Sequence, residues 1–282
     1  MPVIHVIVEE IDQLKPVSNI AGKVLSLLEA PEAGTADLYA IIAHEPALTT
    51  NVLKLANSAY YGLPGKFSDV KQAVVYLGMR QVVDLVLLAS CAGSLSGSHA
   101  GYGLEKGELL KNAIATAILA KDLAEIKGRR QNDLIFTGAL LRDIGKIVLN
   151  QYVADAIDKI MHRVKTQSIA FSEAERLVIG VDHSQVGVMI AKKWNFPLTL
   201  QCIIQHCELP FKAEGCFTEA AIVHVANAIR RKMKIGLGVD DPTYPDDERV
   251  AHAMGLNETD LERVMNEFRA KSERVNALFQ TL

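Results

Sequence analysis

The chain contains 282 residues, and its content of 49% hydrophobic and 22% charged residues excludes an intrinsically disordered protein. A chain of this length can bury a core without disulfides. Its 30 Lys and Arg against 33 Asp and Glu give a net charge of -3, which excludes a global basic field for nucleic acid.

The sequence predicts a cytoplasmic protein without a membrane partner. The N-terminal MPVIHVIVEE has no positively charged start, unlike a secretory signal. The most apolar later stretch, residues 82–95, is interrupted by Asp84 and is too short to span a bilayer. No Cys-x-x-Cys pair occurs, and we interpret every cysteine as a buried thiol: Cys91, Cys202, Cys207 and Cys216.

Apolar residues recur at helical spacing along nearly the whole chain, which predicts an all-α fold. Sustained alternation of period two is confined to the first eight residues. The helices predicted in the N-terminal part cover residues 17–28, 35–43, 47–59, 69–77 and 82–92. A Gly- and Ser-rich stretch over residues 93–107 then changes the composition, and we predict a boundary between subdomains there.

The helices predicted beyond that boundary cover residues 109–126, 132–152, 154–164, 172–179, 183–194, 198–206 and 218–232. Residues 236–247 are rich in Asp, Gly and Pro and are predicted to form an acidic surface linker. One last amphipathic helix follows a cap at Asn257. Its apolar stripe could form a homodimer, although packing on its own domain serves the stripe equally: Leu261, Val264, Phe268, Val275 and Leu278.

One carboxylate and two histidines, on different predicted helices, could converge on a divalent cation. These are Asp143, His183 and His206. Nitrogen and oxygen donors from facing helices commonly hold such ions. Each residue also has a simpler explanation, because Asp143 could form a salt bridge on a helix face and the histidines could be hydrogen-bonded core residues. Spacing alone favours the simpler explanation.

Several long strings resemble the HDOD family, the HD-related output domains of bacterial signalling proteins. They are EPALTTNVLKLANSAYYG at 45–62, AVVYLG at 73–78, TGALLRDIGK at 137–146, VDHSQVG at 181–187 and WNFP at 194–197. The resemblance covers residues 14–227. It implies a multi-helix, HD-related fold with an N-terminal helical part at 1–98, a degenerate HD-like core at 99–236, and the acidic linker and C-terminal helix at 237–282.

The resemblance also implies that the metal site has changed. HD phosphohydrolases hold a metal through a His, a His-Asp pair and a later Asp. Here the first His position falls near Asn112, the His of the pair is Arg142, and the late Asp is Asn227. Amides are weaker ligands than carboxylates, and Arg142 carries a permanent positive charge. Arg142 therefore either neutralises Asp143 in place of the metal or turns outward as a surface residue.

His183 and His206 match positions where two-metal relatives carry further histidines. With Asp143 they form a residual donor set, which we expect to be insufficient for iron, manganese or zinc, so we expect no cofactor and no catalytic residue. The protein is then a non-catalytic signal-transduction module that binds a signalling protein or a small ligand. The candidate ligand-binding residues are Arg142, Lys146, Asn112 and Asn227.

The alternative is an enzyme, a metal-dependent phosphohydrolase or cyclic-nucleotide phosphodiesterase, in which the residual Asp and His residues hold the metal. Lys146 would then contact phosphate, although a lysine there more often simply solvates the surface. A nucleic-acid adaptor would use the dense basic run RRKMK at residues 230–234. We do not expect that role, because cations in the last turn of a helix complement its dipole.

Overall fold

The computed structural model describes residues 2–13, 18–30, 32–63, 65–128 and 134–282. This part of the chain contains α-helices, short 3-10 turns and one isolated β-bridge between His99 and Leu104, with no strand. The all-α prediction is confirmed. Within the same residues, no helix has the length and apolar character needed to cross a membrane.

The α-helices are numbered in chain order: α1 (Pro2–Gln13), α2 (Ser18–Glu29), α3 (Thr35–Ala43), α4 (Pro46–Ala56), α5 (Val70–Leu77), α6 (Met79–Leu95), α7 (Glu108–Ile126), α8 (Leu134–Leu141), α9 (Gly145–Gln167), α10 (Phe171–Val178), α11 (His183–Lys193), α12 (Leu198–His206), α13 (Phe217–Lys232), α14 (Glu248–Ala253), α15 (Glu258–Ala270) and α16 (Ser272–Thr281). The 3-10 turns are Ala59–Tyr61, Ala100–Tyr102, Pro210–Lys212 and Asp241–Thr243.

The N-terminal residues form α1 despite their alternating pattern. Ile7 and Ile11, four residues apart, are buried on one helical face, while Val6 and Val8 are exposed. This spacing fits an α-helix, because residues four apart lie on the same helical face.

The predicted helix over residues 132–152 is interrupted, and the next predicted helix is its continuation. Asn132 lies outside the described residues. Helix α8 ends at Leu141 and α9 begins at Gly145, after which it runs unbroken to Gln167. The interruption carries Arg142 and Asp143, so the break itself presents the two side chains.

The C-terminal prediction needs two corrections. Asp240 and Asp241 in the predicted surface linker are buried, because they pair with buried cations described below. The single helix predicted after Asn257 is two helices, α15 and α16, and the short helix α14 precedes them. Most of its predicted apolar stripe is buried within the chain, at Val264, Phe268, Val275 and Leu278.

The cysteine prediction is wrong for two residues. Cys202 on α12 and Cys216 before α13 form a disulfide, although they lie 14 residues apart and no sequence pattern marks them. Cys91 and Cys207 are free and buried, as predicted. Disulfides are uncommon in reducing compartments, so this pair is an observation against the predicted cytoplasmic location, which stays a prediction.

The chain forms two compact units. The first comprises Met1–Leu14, Leu95–Lys193 and Leu198–Met265, and the second comprises Lys15–Ser94, Trp194–Pro197 and Asn266–Leu282. In the first unit, α7 packs against α8 and α13, and α11 packs against α9 and α12. In the second, α3 packs against α2, α4 and α5. The predicted division into parts at 1–98, 99–236 and 237–282 stays a prediction.

Candidate functional site

The interruption between α8 and α9 places Asp143 close to α11. A Cβ atom at Gly145 would overlap the backbone carbonyl of His183, so only glycine allows this close approach of the two helices. Asp143 Oδ1 lies 4.0 Å from His183 Nε2. Both side chains are almost fully buried, at 3% and 2% exposure. Two of the three predicted metal-site residues are therefore neighbours.

Asp143 is surrounded by fixed cations. Its Oδ2 lies 2.5 Å from Arg142 Nη2, and its Oδ1 lies 3.4 Å from Lys146 Nζ. Burial alone would raise the pKa of the Asp143 carboxyl, but the charges of Arg142 and Lys146 outweigh it and hold that pKa well below its ordinary value. Of the two positions proposed for Arg142, the structure has the inward one, beside Asp143.

Lys146 is a buried residue, and its interpretation as a solvated surface lysine is wrong. Its Nζ donates to Asp240 Oδ2 at 2.6 Å and lies 5.2 Å from the centre of the Tyr102 ring. Burial opposes the charge on the Lys146 ammonium, yet Asp143 and Asp240 raise its pKa above the ordinary value. The lysine lies inside because two carboxylates compensate its charge.

The two amides that the resemblance aligns with metal-ligand positions contact arginines. Asn112 Oδ1 accepts a hydrogen bond from Arg142 Nη2 at 2.6 Å. Asn227 Oδ1 accepts from Arg230 Nη2 at 2.7 Å, and Arg230 forms a second, charged contact with Asp241. An amide oxygen accepts a hydrogen bond readily, so these positions now hold guanidinium groups.

His183 lies between two carboxylates. Its Nδ1 is 2.7 Å from Glu175 Oε2 and its Nε2 is 3.0 Å from Glu208 Oε1. The Tyr102 hydroxyl donates to Glu175 at 2.6 Å, and the Ser172 hydroxyl donates to Glu208 at 2.6 Å. Burial opposes protonation of His183, but the carboxylates of Glu175 and Glu208 raise its pKa well above the ordinary value.

His206 is not among the groups that contact Asp143 or His183, so two of the three candidate metal-site residues lie together. It ends α12 with a partly exposed side chain, and its charged neighbours are Lys212 and Glu214. Burial and the Lys212 ammonium lower the pKa of His206. Glu208, two residues further along, takes the position that faces His183.

These residues do not fit the divalent cation of the HD phosphohydrolases. The Asp143 carboxylate already faces a guanidinium and an ammonium, and both would repel a metal ion. Both nitrogens of His183 face carboxylates, and an imidazole that holds two protons has no lone pair for a metal. We therefore refer to the set as the ionic cluster, defined as Arg142, Asp143, Lys146, Glu175, His183, Glu208, Arg230, Asp240 and Asp241.

Sequence reasoning missed every acid of the ionic cluster except Asp143. Glu175 could have been found, because it lies four residues after the buried Phe171 on one face of α10. The sequence gives a weaker indication that Asp240 and Asp241 are buried, because this acidic pair follows the basic run that begins at Arg230. No sequence signal marks Glu208.

The comparison of sequences decides the family. Residues 14–210 match the sequence model of the HDOD domain. The chain belongs to the HDOD family. Among curated proteins, this HDOD chain is 25% identical over 209 residues to an uncharacterised protein of Treponema pallidum (strain Nichols), covering 72% of the chain and 40% of that protein. The chain thus spans less than half of this relative.

Two solved structures share the HDOD chain's fold. A Marinobacter aquaeolei VT8 protein, named "Putative signal transduction protein", has a TM-score of 0.79 and 19% identity, with coverage of 99% of this chain and 65% of that one. A Shewanella amazonensis SB2B protein, named "Putative phosphohydrolase", has a TM-score of 0.74 and 21% identity, with coverage of 98% and 97%. At these identities the likeness shows the fold alone.

Proposed function

We propose that this HDOD protein is a non-catalytic signal-transduction module that acts by binding a signalling protein or a ligand. The observation that carries the proposal is the environment of Asp143, the one acid left at the HD positions. Arg142 and Lys146 contact its two oxygens, so the carboxylate is neutralised by the chain itself.

The charges of these two residues oppose metal binding. A unit charge about 4 Å away contributes on the order of 4 kcal/mol at an effective dielectric of 20. Arg142 and Lys146 are both within that distance of the carboxylate that a metal would need. Without a bound ion, no group lowers the pKa of a water molecule toward neutrality, and hydrolysis of a phosphoester by this route has no nucleophile.

A signalling partner needs an exposed surface, and α5 offers an apolar one. Val75 and Tyr76 are 86% and 60% exposed. Aromatic residues are enriched in the cores of protein interfaces. We do not propose a nucleic-acid partner, because Arg230 and Arg231 are engaged with Asp241 and Asp246. A homodimer through the C-terminal helices remains a prediction, and its apolar stripe is largely buried already.

The test combines metal content with turnover. The protein is purified without chelator, its iron, manganese and zinc are measured, and hydrolysis of bis(p-nitrophenyl) phosphate is followed in Mn²⁺ and in Fe²⁺. We expect no stoichiometric metal and no turnover above buffer. Bound metal with turnover that Asp143→Ala or His183→Ala abolishes would establish the phosphohydrolase alternative instead.

A variant that restores the former donors sharpens this test. N112H/R142H/N227D returns two imidazoles and one carboxylate to the three changed positions and removes the Arg142 guanidinium. We expect this variant to bind Mn²⁺ more tightly than the parent protein. Arg263→His, at a more exposed arginine on α15, is the matched control and should leave metal binding unchanged.

A further inference from the structure

The disulfide joins the middle of α12 to the start of α13 within the first unit. Its sulfurs belong to Cys202 and Cys216, and the loop that it closes spans residues 203–215. Cys216 is 2% exposed, whereas the Cys202 side chain is only partly buried. Cys202 Sγ lies at the protein surface, 3.8 Å from the carbonyl oxygen of Glu214. One sulfur of the bond is therefore open to attack by a dissolved thiolate.

The core of the first unit does not depend on this disulfide. Helix α12 buries Leu200, Ile203 and Ile204, and it packs against α8 and α11. A chain of 282 residues buries enough apolar surface to fold without a crosslink. We therefore expect α12 to stay in place when the bond is reduced, which a reversible disulfide requires.

The segment between the two cysteines has little buried apolar surface of its own. Of residues 209–215, Pro210 and Ala213 are buried and the others are exposed, with Phe211 at 54% exposure. Segments with few buried apolar contacts open locally at a low cost in free energy. The disulfide is thus a main connection that fastens this segment to α12.

The same loop contains Glu208, an acid of the ionic cluster. The carboxylate of Glu208 accepts from the Ser172 hydroxyl at 2.6 Å and lies 3.0 Å from His183 Nε2. Because Glu208 lies within the loop that the disulfide closes, the bond limits how far this carboxylate can move from His183. The redox state of the two cysteines is therefore coupled to the ionic cluster through a short stretch of backbone.

The buried sulfur is suited to leave as a thiolate. Cys216 is the N-cap residue of α13, a helix of 16 residues. The positive end of the helix dipole stabilises a thiolate, and a stabilised thiolate leaves faster from a disulfide. Attack at the accessible Cys202 sulfur is the attack that releases Cys216. Exposure and leaving-group stability therefore favour the same direction of opening.

Thiol–disulfide exchange opens the bond in two steps. A thiolate R–S⁻ attacks Cys202 Sγ and forms a new S–S bond, while the bond to Cys216 breaks and Cys216 leaves with the electron pair. A second R–S⁻ attacks the sulfur of R in this mixed disulfide, which forms R–S–S–R and releases Cys202. Two small thiols are oxidised to one disulfide, the protein gains two electrons, and each cysteine thiolate takes a proton from water.

We propose that Cys202 and Cys216 form an exchange site for low-molecular-weight thiols, and that reduction frees residues 207–215 and moves Glu208 away from His183. In the cytoplasm, the location that the sequence predicts, disulfides are usually transient and serve catalysis or redox sensing. The proposal goes beyond the proposed function, because it depends on two cysteines outside the ionic cluster and holds whether or not that cluster binds a metal.

The probe is glutathione, whose ratio of reduced to oxidised form is varied over the full chain at constant pH. Free thiols are then alkylated without denaturant and located by mass spectrometry. We expect alkylation of Cys202 and Cys216 in reduced glutathione, and protection of both once oxidised glutathione is restored. Cys91, which is free and buried on α6, should stay unmodified throughout and reports that the fold is intact.

Hydrogen exchange and NMR follow the consequence for the loop. Reduction should speed amide exchange in residues 207–215 by about tenfold or more. It should also shift the ¹⁵N resonances of the His183 ring in the direction that Glu208→Gln shifts them. Cys202→Ser should show both changes without any reductant and should not respond to glutathione. Cys91→Ala is the matched control and should respond as the parent chain does.

The proposal is overturned if glutathione leaves the bond intact until urea unfolds the chain, because the disulfide is then structural. It is overturned equally if the bond opens while amide exchange in residues 207–215 or the His183 resonances stay unchanged. Failure of Cys202 and Cys216 to pair again in oxidised glutathione would also contradict it. Thermal unfolding shows whether Cys202→Ser folds, and the glutathione titration of the parent chain keeps the test decisive if it does not.

Discussion

His183 and His224 are buried to the same extent, at 2% exposure, and their surroundings are opposite. His183 lies between the carboxylates of Glu175 and Glu208, which raise its pKa. His224 Nδ1 lies 2.9 Å from the carbonyl oxygen of Cys207, so this nitrogen carries the proton, and burial lowers the pKa of the ring. Burial alone therefore does not decide the charge of a histidine. The neighbouring groups decide it. They place two carboxylates beside His183, and among the described residues they leave Nε2 of His224 without a hydrogen-bond partner.

The largest effect is expected where the ionic cluster loses an anion. Asp143→Ala leaves the buried Arg142 guanidinium without its carboxylate partner and leaves Lys146 with Asp240 alone, and breaking a buried pair in this way costs about 3–5 kcal/mol of unfolding free energy. Urea denaturation measures the loss. Asp158→Ala, at an exposed position on α9, is the control and should cost little. A loss below about 1 kcal/mol at Asp143 would show that charge does not stabilise this region.

A smaller loss of unfolding free energy is expected when Glu208, one of the two carboxylates beside His183, is removed. Glu208→Gln removes a charged hydrogen bond, which costs about 1.5–3 kcal/mol, and lowers the pKa of His183. Urea denaturation and ¹⁵N NMR titration of the imidazole measure the two quantities. Glu173→Gln, at an exposed position on α10, should alter neither. An unchanged His183 titration would mean that Glu175 alone holds the proton.

The close approach of α9 and α11 should matter for the free energy of unfolding about as much as the carboxylate of Glu208. Gly145→Ala places a methyl group against the His183 carbonyl, and overpacking of this kind costs about 1–3 kcal/mol. Gly93→Ala, in the interior of α6 where a Cβ has open space, should instead stabilise by about 0.5–1 kcal/mol. Thermal unfolding of both proteins checks the pair, and equal effects of the two substitutions would contradict it.

The smallest effect is the pH dependence of stability, which should differ in sign for the two histidines. The raised pKa of His183 gives a contribution that is full below about pH 6.5 and is lost as pH rises through the folded-state pKa. The lowered pKa of His224 gives a contribution that is full above about pH 6.5 and is lost as pH falls.

NMR separates these two contributions at one pH. At pH 7 the ¹⁵N resonances of His183 should be those of an imidazolium, with both nitrogens protonated. Those of His224 should be those of a neutral ring with the proton on Nδ1. A neutral His183 or a charged His224 would remove the basis of the comparison.

Patterns within a short stretch of chain were sufficient for much of the fold. A helix over residues 69–77 was predicted, and the side chain of Asp69 accepts from the backbone N–H of Gln72 at the start of α5. Leu198–His206 was predicted at its observed bounds. The break at Arg142 was missed, because periodicity cannot reveal that Gly145 must meet the backbone of another helix.

In the candidate site too, residue types were predictable from the sequence, whereas the contacts between those residues were not. The prediction that Arg142 and Asn227 stand at metal-ligand positions of the HD phosphohydrolases came from residue types and from the resemblance to the HDOD family, and it stays a prediction. The partners of these residues lie far along the chain: Lys146 contacts Asp240, and His183 contacts Glu208.

The sequence by itself thus determined the helical architecture and the family, because both depend on neighbouring residues or on residue identity. Only the tertiary structure decided that Lys146 is buried, that His206 stands apart from Asp143, and that Cys202 pairs with Cys216. Those outcomes depend on which helices pack together. Long-range packing sets the local dielectric and the neighbouring charges, and spacing along the chain contains neither.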